Sequence, residues 1–160
     1  MAIHRLYIDE FEAINYSLIA IHTDLEDFRL AYFINKNLTV NLKKNRQDIS
    51  INTANGETHF SSFIFEDFKK NLSFNLFENM NKIEIESDEK FDLFAETALT
   101  NFKNVYLLPE FKKVDYFLKI DHLNAINENE IINSLKEISQ IVTVYNIEIE
   151  KIKNKNNLIF

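Results

Sequence analysis

Gln47-Asp48-Ile49-Ser50-Ile51-Asn52-Thr53-Ala54-Asn55-Gly56-Glu57-Thr58-His59-Phe60-Ser61-Ser62-Phe63-Ile64-Phe65 is the stretch that decides the fold. Apolar and polar residues alternate on both sides of Asn55-Gly56, the period of strands whose successive side chains point to opposite faces. A type I′ turn needs positive φ at both central positions, which Asn and Gly tolerate. Residues 54 to 57 are therefore predicted to close a hairpin that sets Ile51 opposite Phe60. Beyond it, Phe63 and Phe65 fall on one strand face and Phe60, Ile64 and Phe68 on the other, so both faces want cover. Two accounts stand: a central strand inside one folded core, or a strand whose second face meets another subunit, because aromatic residues are enriched at interface cores. Phe74 and Phe77, on opposite faces of the next strand, fit either.

Working outward, alternation predicts strands over Thr39 to Lys44 and Leu72 to Phe77, and further strands near Lys82 to Glu86, Phe91 to Glu96, Val105 to Leu108 and Val114 to Asp121. Ser17 to His22 reads as a buried strand. Thr23-Asp24-Leu25-Glu26 then supplies a capping box for a helix running to about Lys36, with Asn35 and Asn37 suited to a left-handed stop. Apolar residues at Leu25, Phe28, Ala31, Tyr32, Phe33 and Ile34 predict a helix covered on much of its circumference. Asn127 caps a second helix, with Glu130 at the capping-box position and Ile131, Ile132, Leu135 and Ile138 at helical spacing. A last strand runs from Ile141 to about Ile149. The sum is a single α+β domain over 1–160: an antiparallel-rich sheet, two main α-helices and a C-terminal strand–helix–strand unit. Two helices cannot cover both faces of so many strands, so something else must shield the remainder.

Composition narrows the function. With no cysteine there is no thiol nucleophile, thiolate zinc site or disulfide framework. The net charge of −7 is shared by both halves of the chain, so there is no basic lobe to hold nucleic acid by its phosphates, while a basic protein surface remains an open partner. Lys43-Lys44-Asn45-Arg46 and residues 151–155 read as solvated basic loops. No apolar run approaches a membrane span, acidic residues follow Met1 too soon for a signal peptide, and a cytoplasmic location is expected. One glycine excludes Gly-rich phosphate loops and glycine-flanked serine elbows. His4, His22, His59 and His122 are too widely separated to suggest a metal site. The carboxylate pairs Glu66-Asp67, Glu84 with Glu86, and Glu148 with Glu150 read as solvated strand faces. No catalytic residue, cofactor or metal is expected.

Leu108-Pro109-Glu110-Phe111-Lys112-Lys113-Val114-Asp115-Tyr116 resembles the motif that names the bacterial IPExxxVDY family, with Leu108 in place of isoleucine. The similarity extends to Leu18 to His22 ahead of Glu26 to Ala31, to Phe60 to Asp67, and to Asn157-Leu158-Ile159-Phe160. It brings no activity with it. Physically, Pro109 lacks an amide donor and ends strand pairing, while Glu110 and Asp115 are suited to fixing the resulting corner by accepting backbone amides. With Tyr116 they otherwise make a polar recognition spot, or, together with His122, a catalytic group.

The function expected is that of a non-enzymatic interaction protein, forming a homodimer or docking on a larger assembly. The surfaces proposed for it are Phe60, Phe63, Phe65, Phe68, Phe74 and Phe77, the corner of Leu108, Pro109, Glu110, Val114, Asp115 and Tyr116, and the apolar Leu158, Ile159 and Phe160. A small-molecule-sensing domain is the alternative, suggested by the strand–helix–strand unit, which is like half of a ferredoxin-like fold.

Overall fold

The computed structural model describes residues 15–54, 56–85 and 101–160. The strand expected at Phe91 to Glu96 lies outside them, as do Asn55, Glu86 and His4.

The first strand, β1 (Asn15–Thr23), leads into helix α1 (Asp27–Leu38). The strands β2 (Lys43–Lys44), β3 (Ile49–Thr53), β4 (Gly56–Phe60), β5 (Ser62–Asp67), β6 (Leu72–Glu78), β7 (Met80–Ile85) and β8 (Asn101–Tyr106) follow. After β9 (Tyr116–His122) come helix α2 (Glu128–Lys136) and β10 (Ile141–Ile147). Among the described residues six strands form one sheet in the order β10-β1-β9-β6-β5-β2, every neighbouring pair antiparallel, and β3-β4 and β7-β8 form separate two-stranded ribbons. The fold is α+β as expected. Because β1 is antiparallel to both of its neighbours, β9 and β10 run parallel on either side of it, and α2 makes the crossover between them.

Each central strand is apolar on both faces, and the two faces are covered differently. Ile19 and Ile21 of β1, Phe74 and Leu76 of β6, and Leu118 and Ile120 of β9 pack beneath the helices with Leu30, Ile34, Ile132 and Leu135. Leu18, Ala20, Phe77 and Phe117, on the opposite face, meet Ile49 and Phe60 of the β3-β4 ribbon, Val105 of β8, and Leu107, Leu108, Ile152 and Leu158. The shield that two helices could not provide therefore comes from the chain's own ribbons and its 3-10 turns at Pro109–Phe111, Ile149–Lys151 and Lys155–Leu158. Inside this double core Phe60, Phe77 and Phe117 are almost wholly enclosed.

Several local expectations are corrected. The stretch 58–65 is not one strand: it breaks at Ser61, and β4 and β5 enter different sheets. The hairpin pairs Ile51 with Thr58 and Ile49 with Phe60, two residues from the predicted register. Gly56, at φ 114, pairs with Thr53, whose hydroxyl donates to Gly56 O at 2.8 Å. A shift of two preserves the faces, so the apolar side stays inward.

The capping box at Thr23 and Glu26 does not form. Thr23 ends β1, its hydroxyl donating to Gln140 O and accepting from Leu25 N, and Glu26 precedes the helix without a side-chain cap. Nor do Asn35 and Asn37 stop α1: Asn35 exchanges two hydrogen bonds with Leu42, and Asn37 donates to Phe33 O. The left-handed position falls instead on Thr39, at φ 54. Of the apolar helix residues only Leu30, Ala31 and Ile34 are buried, while Phe28 and Tyr32 face solvent, so α1 is covered on one side only. By contrast, α2 starts as expected, with Asn127 Oδ1 accepting from Glu130 N at 3.3 Å. The strand expected over Thr39 to Lys44 is reduced to Lys43–Lys44, a short edge strand that opens the basic stretch read as a loop.

Candidate functional site

The motif corner is organised by a residue the sequence did not single out. Asn79, between β6 and β7, is wholly buried. Its Nδ2 donates to Phe111 O at 2.8 Å and Val114 O at 3.1 Å, and its Oδ1 accepts from Leu108 N at 2.9 Å. Its backbone completes the clasp, N donating to Asp115 O and O accepting from Leu107 N. An asparagine amide offers two donors and an acceptor in one plane, which suits a turn whose carbonyls and amide converge. One asparagine among many in a chain carries no periodicity or motif that would have revealed this.

The motif residues are engaged with distant segments. Leu108 and Val114 are buried in the second core. Pro109 opens the 3-10 turn after β8, where its missing amide costs nothing. Glu110 Oε1 accepts from Lys153 N at 2.7 Å and Asn154 N at 3.0 Å, and Oε2 from Asn154 Nδ2 at 2.8 Å, tying the corner to the C-terminal turns. Burial pushes the Glu110 carboxyl up, but these hydrogen bonds outweigh it and hold it below the usual carboxylate range. Asp115 Oδ2 accepts from Thr23 N at 3.0 Å, and the Tyr116 hydroxyl donates to Leu25 O at 2.8 Å, so both brace the junction of β1 with α1. Burial, reinforced by Glu78 and neighbouring carboxylates, raises the phenol of Tyr116, which keeps it a donor. The expected amide-accepting role of Glu110 and Asp115 is thus observed, although the amides belong to other parts of the chain.

Glu110, Asp115 and His122 do not converge. Asp115 and His122 flank opposite ends of β9, roughly 20 Å apart at about 3.3 Å per residue, and Glu110 binds the C-terminal turns. His122 Nε2 instead lies 3.2 Å from Ser17 Oγ, and Ser17 in turn donates to Glu128, which also accepts from Asn146. Serine, histidine and carboxylate meet there, yet the acid engages the serine and not the second ring nitrogen, and Ser17 is buried. That order lacks the acid–imidazole contact that orients a catalytic base. Among the described residues no group of three potential ligands is placed to hold a metal.

The aromatic interface candidates are corrected as well. Phe60, Phe63, Phe74, Phe77 and Leu158 are buried, and Phe65 packs against the helical core. They face inward because each central strand is covered on both sides. Phe68 stands in the turn after β5 and is 80% exposed, and Ile159 and Phe160 are also exposed, Phe160 leaning edge-on against Phe77.

Two other surfaces come forward. A cleft of about 380 Å³ is lined by residues 109–114 and Tyr145, so the motif corner borders the edge strand β10, where Val142 is 77% exposed. On the ribbon side of the sheet, a cleft of about 560 Å³ has Tyr16, Ser73, Lys119 and Asp121 on its lining, with Phe160 at its rim. Lys119 is buried, 2.9 Å from Asp121 Oδ1 and close to the Tyr16 and Phe160 rings.

Replacing Asn79 by Ala orphans the Leu108 amide and the Val114 carbonyl and leaves the Phe111 carbonyl with the Val114 amide alone, and is expected to cost about 3 kcal/mol or more. Asn52→Ala, on the exposed flank of β3, should stay within about 0.5 kcal/mol. Equal midpoints for the two variants in urea denaturation would remove Asn79 from this role.

Glu110 carries a pH signature. Because its folded pKa lies below its unfolded one, its contribution is complete above the unfolded value and is lost as pH falls through the folded value. Glu110→Gln should therefore be less stable than the parent at pH 7, with the gap closing in acid. A gap independent of pH would show that the charge is not what holds the C-terminal turns.

No family model, no curated protein and no solved structure matches the chain, so its function rests on this geometry.

Proposed function

We propose that the chain is a non-enzymatic interaction protein of the cytoplasm, and that it binds a protein surface, a second copy or a larger assembly, at the end of the sheet where β10 borders the motif corner. The observation that carries this reading is the state of β10. Among the described residues it is a seven-residue edge strand with Val142, Thr143, Tyr145 and Asn146 exposed and no charged residue along it. Such an edge presents unpaired backbone groups to any strand that approaches. The motif supports the same reading, since its polar groups are occupied in bracing the fold and not held ready for reaction. Membership of the bacterial IPExxxVDY family is proposed on Leu108, Pro109, Glu110, Val114, Asp115 and Tyr116. An acidic chain would favour a basic patch on an assembly it joins. Among the described residues no helix is long and apolar enough to cross a membrane.

Val142→Lys places a charge on the proposed surface without touching the core. Native mass spectrometry of the protein isolated from its own cell should find it in a defined complex, with the variant reduced at least tenfold in bound form. A wild-type chain found only at 19.0 kDa would overturn the proposal.

A second reading, a ligand-sensing domain, is favoured by the cleft over Lys119 and Asp121. Its volume of about 560 Å³ is in the range of small-molecule sites, and a buried ion pair between aromatic rings offers convergent polar groups. Thermal denaturation across a metabolite panel tests it. A ligand at 100 times its dissociation constant adds about 2.7 kcal/mol, and that gain should disappear in Lys119→Met. Uniform melting across the panel would count against it.

A further inference from the structure

We infer that β10 pairs with β10 of a second copy, antiparallel and centred on Val144, so that two six-stranded sheets join into one of twelve; this rests on the interaction reading above and names its partner. The two edges of the sheet differ in a way that selects one. At the far edge, β2 has only two residues, Lys43 and Lys44, and Lys44 is tied to Asp27 and Asp48. A short, lysine-bearing edge is how soluble proteins discourage strand addition. The opposite edge is neither short nor charged: its ladder with β1 is regular from Thr143 to Ile147, with a β-bulge at Val142. Ile141-Val142-Thr143-Val144-Tyr145-Asn146-Ile147 contains no charge, proline or glycine, and is made largely of β-branched and aromatic residues.

A second copy fits that edge because the strand is complementary to itself. With Val144 on the twofold axis, Thr143 faces Tyr145 of the other copy within the regular stretch of the strand, and Val142, the bulged residue of β10, lies just beyond it. No charged residue lies along β10, so no like charges oppose each other across the axis, although each chain carries a net charge of −7. The two Tyr145 rings become diagonal neighbours, within reach of one another across the axis. On the inner side Tyr145 is already set in place by His22, whose ring stacks on it at 5.6 Å while Nε2 lies 3.2 Å from the hydroxyl. An isologous contact of this kind closes on itself and, among the described residues, leaves the main sheet with the blunted β2 edges at its two ends, which is why the assembly stops at two.

The chain has no cysteine, so installed thiols report only the intended contact. Thr143→Cys and Tyr145→Cys proteins, mixed and mildly oxidised, should give a disulfide-linked dimer, whereas either alone should cross-link at least tenfold less, because like positions are offset by two residues. Light scattering of the purified parent at about 100 μM, a concentration that populates even a weak dimer, should give twice 19.0 kDa, and Val142→Lys should give the monomer with an unchanged circular dichroism spectrum. A dimer that Val142→Lys leaves intact, or cross-linking as strong in the single proteins as in the mixture, overturns the self-pairing. A purified monomer that still enters a Val142-dependent complex in its own cell overturns self-pairing but sustains the interaction reading. A monomer in both settings overturns both.

Discussion

The buried amide of Asn79 ties the junction of β6 and β7 to the segment that links β8 to β9. It stands where β6 hands over to β7, and its side chain and backbone together bond to Leu107, Leu108, Phe111, Val114 and Asp115. Every one of these groups is on the segment that leaves β8 and enters β9. Since β6 and β9 are neighbours in the main sheet while β7 and β8 form a separate ribbon, the chain must leave the sheet after β6 and return to it at β9. Asn79 clasps the exit to the re-entry. Without that clasp the turn containing Pro109 would leave buried carbonyls unpaired, a larger penalty than any single contact of the motif repairs.

The motif residues then extend the clasp in two directions. Glu110 reaches the C-terminal turns, whose Ile152 and Leu158 help roof the second core, and Asp115 with Tyr116 reaches the junction of β1 and α1, which leads into the helical layer of the first. One corner thus fastens coverings on both faces of the sheet. This explains why a conspicuous cluster of acidic and aromatic groups carries no free reactive group: its chemistry is used to hold loops against strands that are apolar on both sides.

How much of this was legible follows from the range of each interaction. The strands were readable because alternation is local, and α2 was readable because Asn127 and Glu130 are three residues apart. The amide-accepting roles of Glu110 and Asp115 were readable in kind, since a corner after proline needs acceptors, but their partners at Lys153, Asn154 and Thr23 are far away in sequence. Thr23 misled for the same reason: a distant carbonyl, Gln140 O, competes for its hydroxyl and keeps it in the strand. Phe74 and Phe77 were correctly divided between faces and Phe63 shares one with Phe65, whereas Phe60 belongs to a ribbon and Phe68 to a turn. What could not be read is that Ser61 ends one strand and that the freed ribbon folds back as cover, because a break between sheets leaves the alternation almost undisturbed.

That internal cover changes where association has to be sought. If both faces of the sheet are closed by the chain itself, the remaining unsatisfied surface is not a face but an edge, and the demand there is for backbone hydrogen bonds more than for apolar area. Burial of phenylalanine would predict a tight, obligate contact, whereas completion of a ladder along an edge strand predicts one that is modest in area, sensitive to a single charge, and specific through register. On the proposed self-pairing, the lysines of β2 and the uncharged β10 belong to one design, in which one end of the sheet is protected and the other is left able to grow.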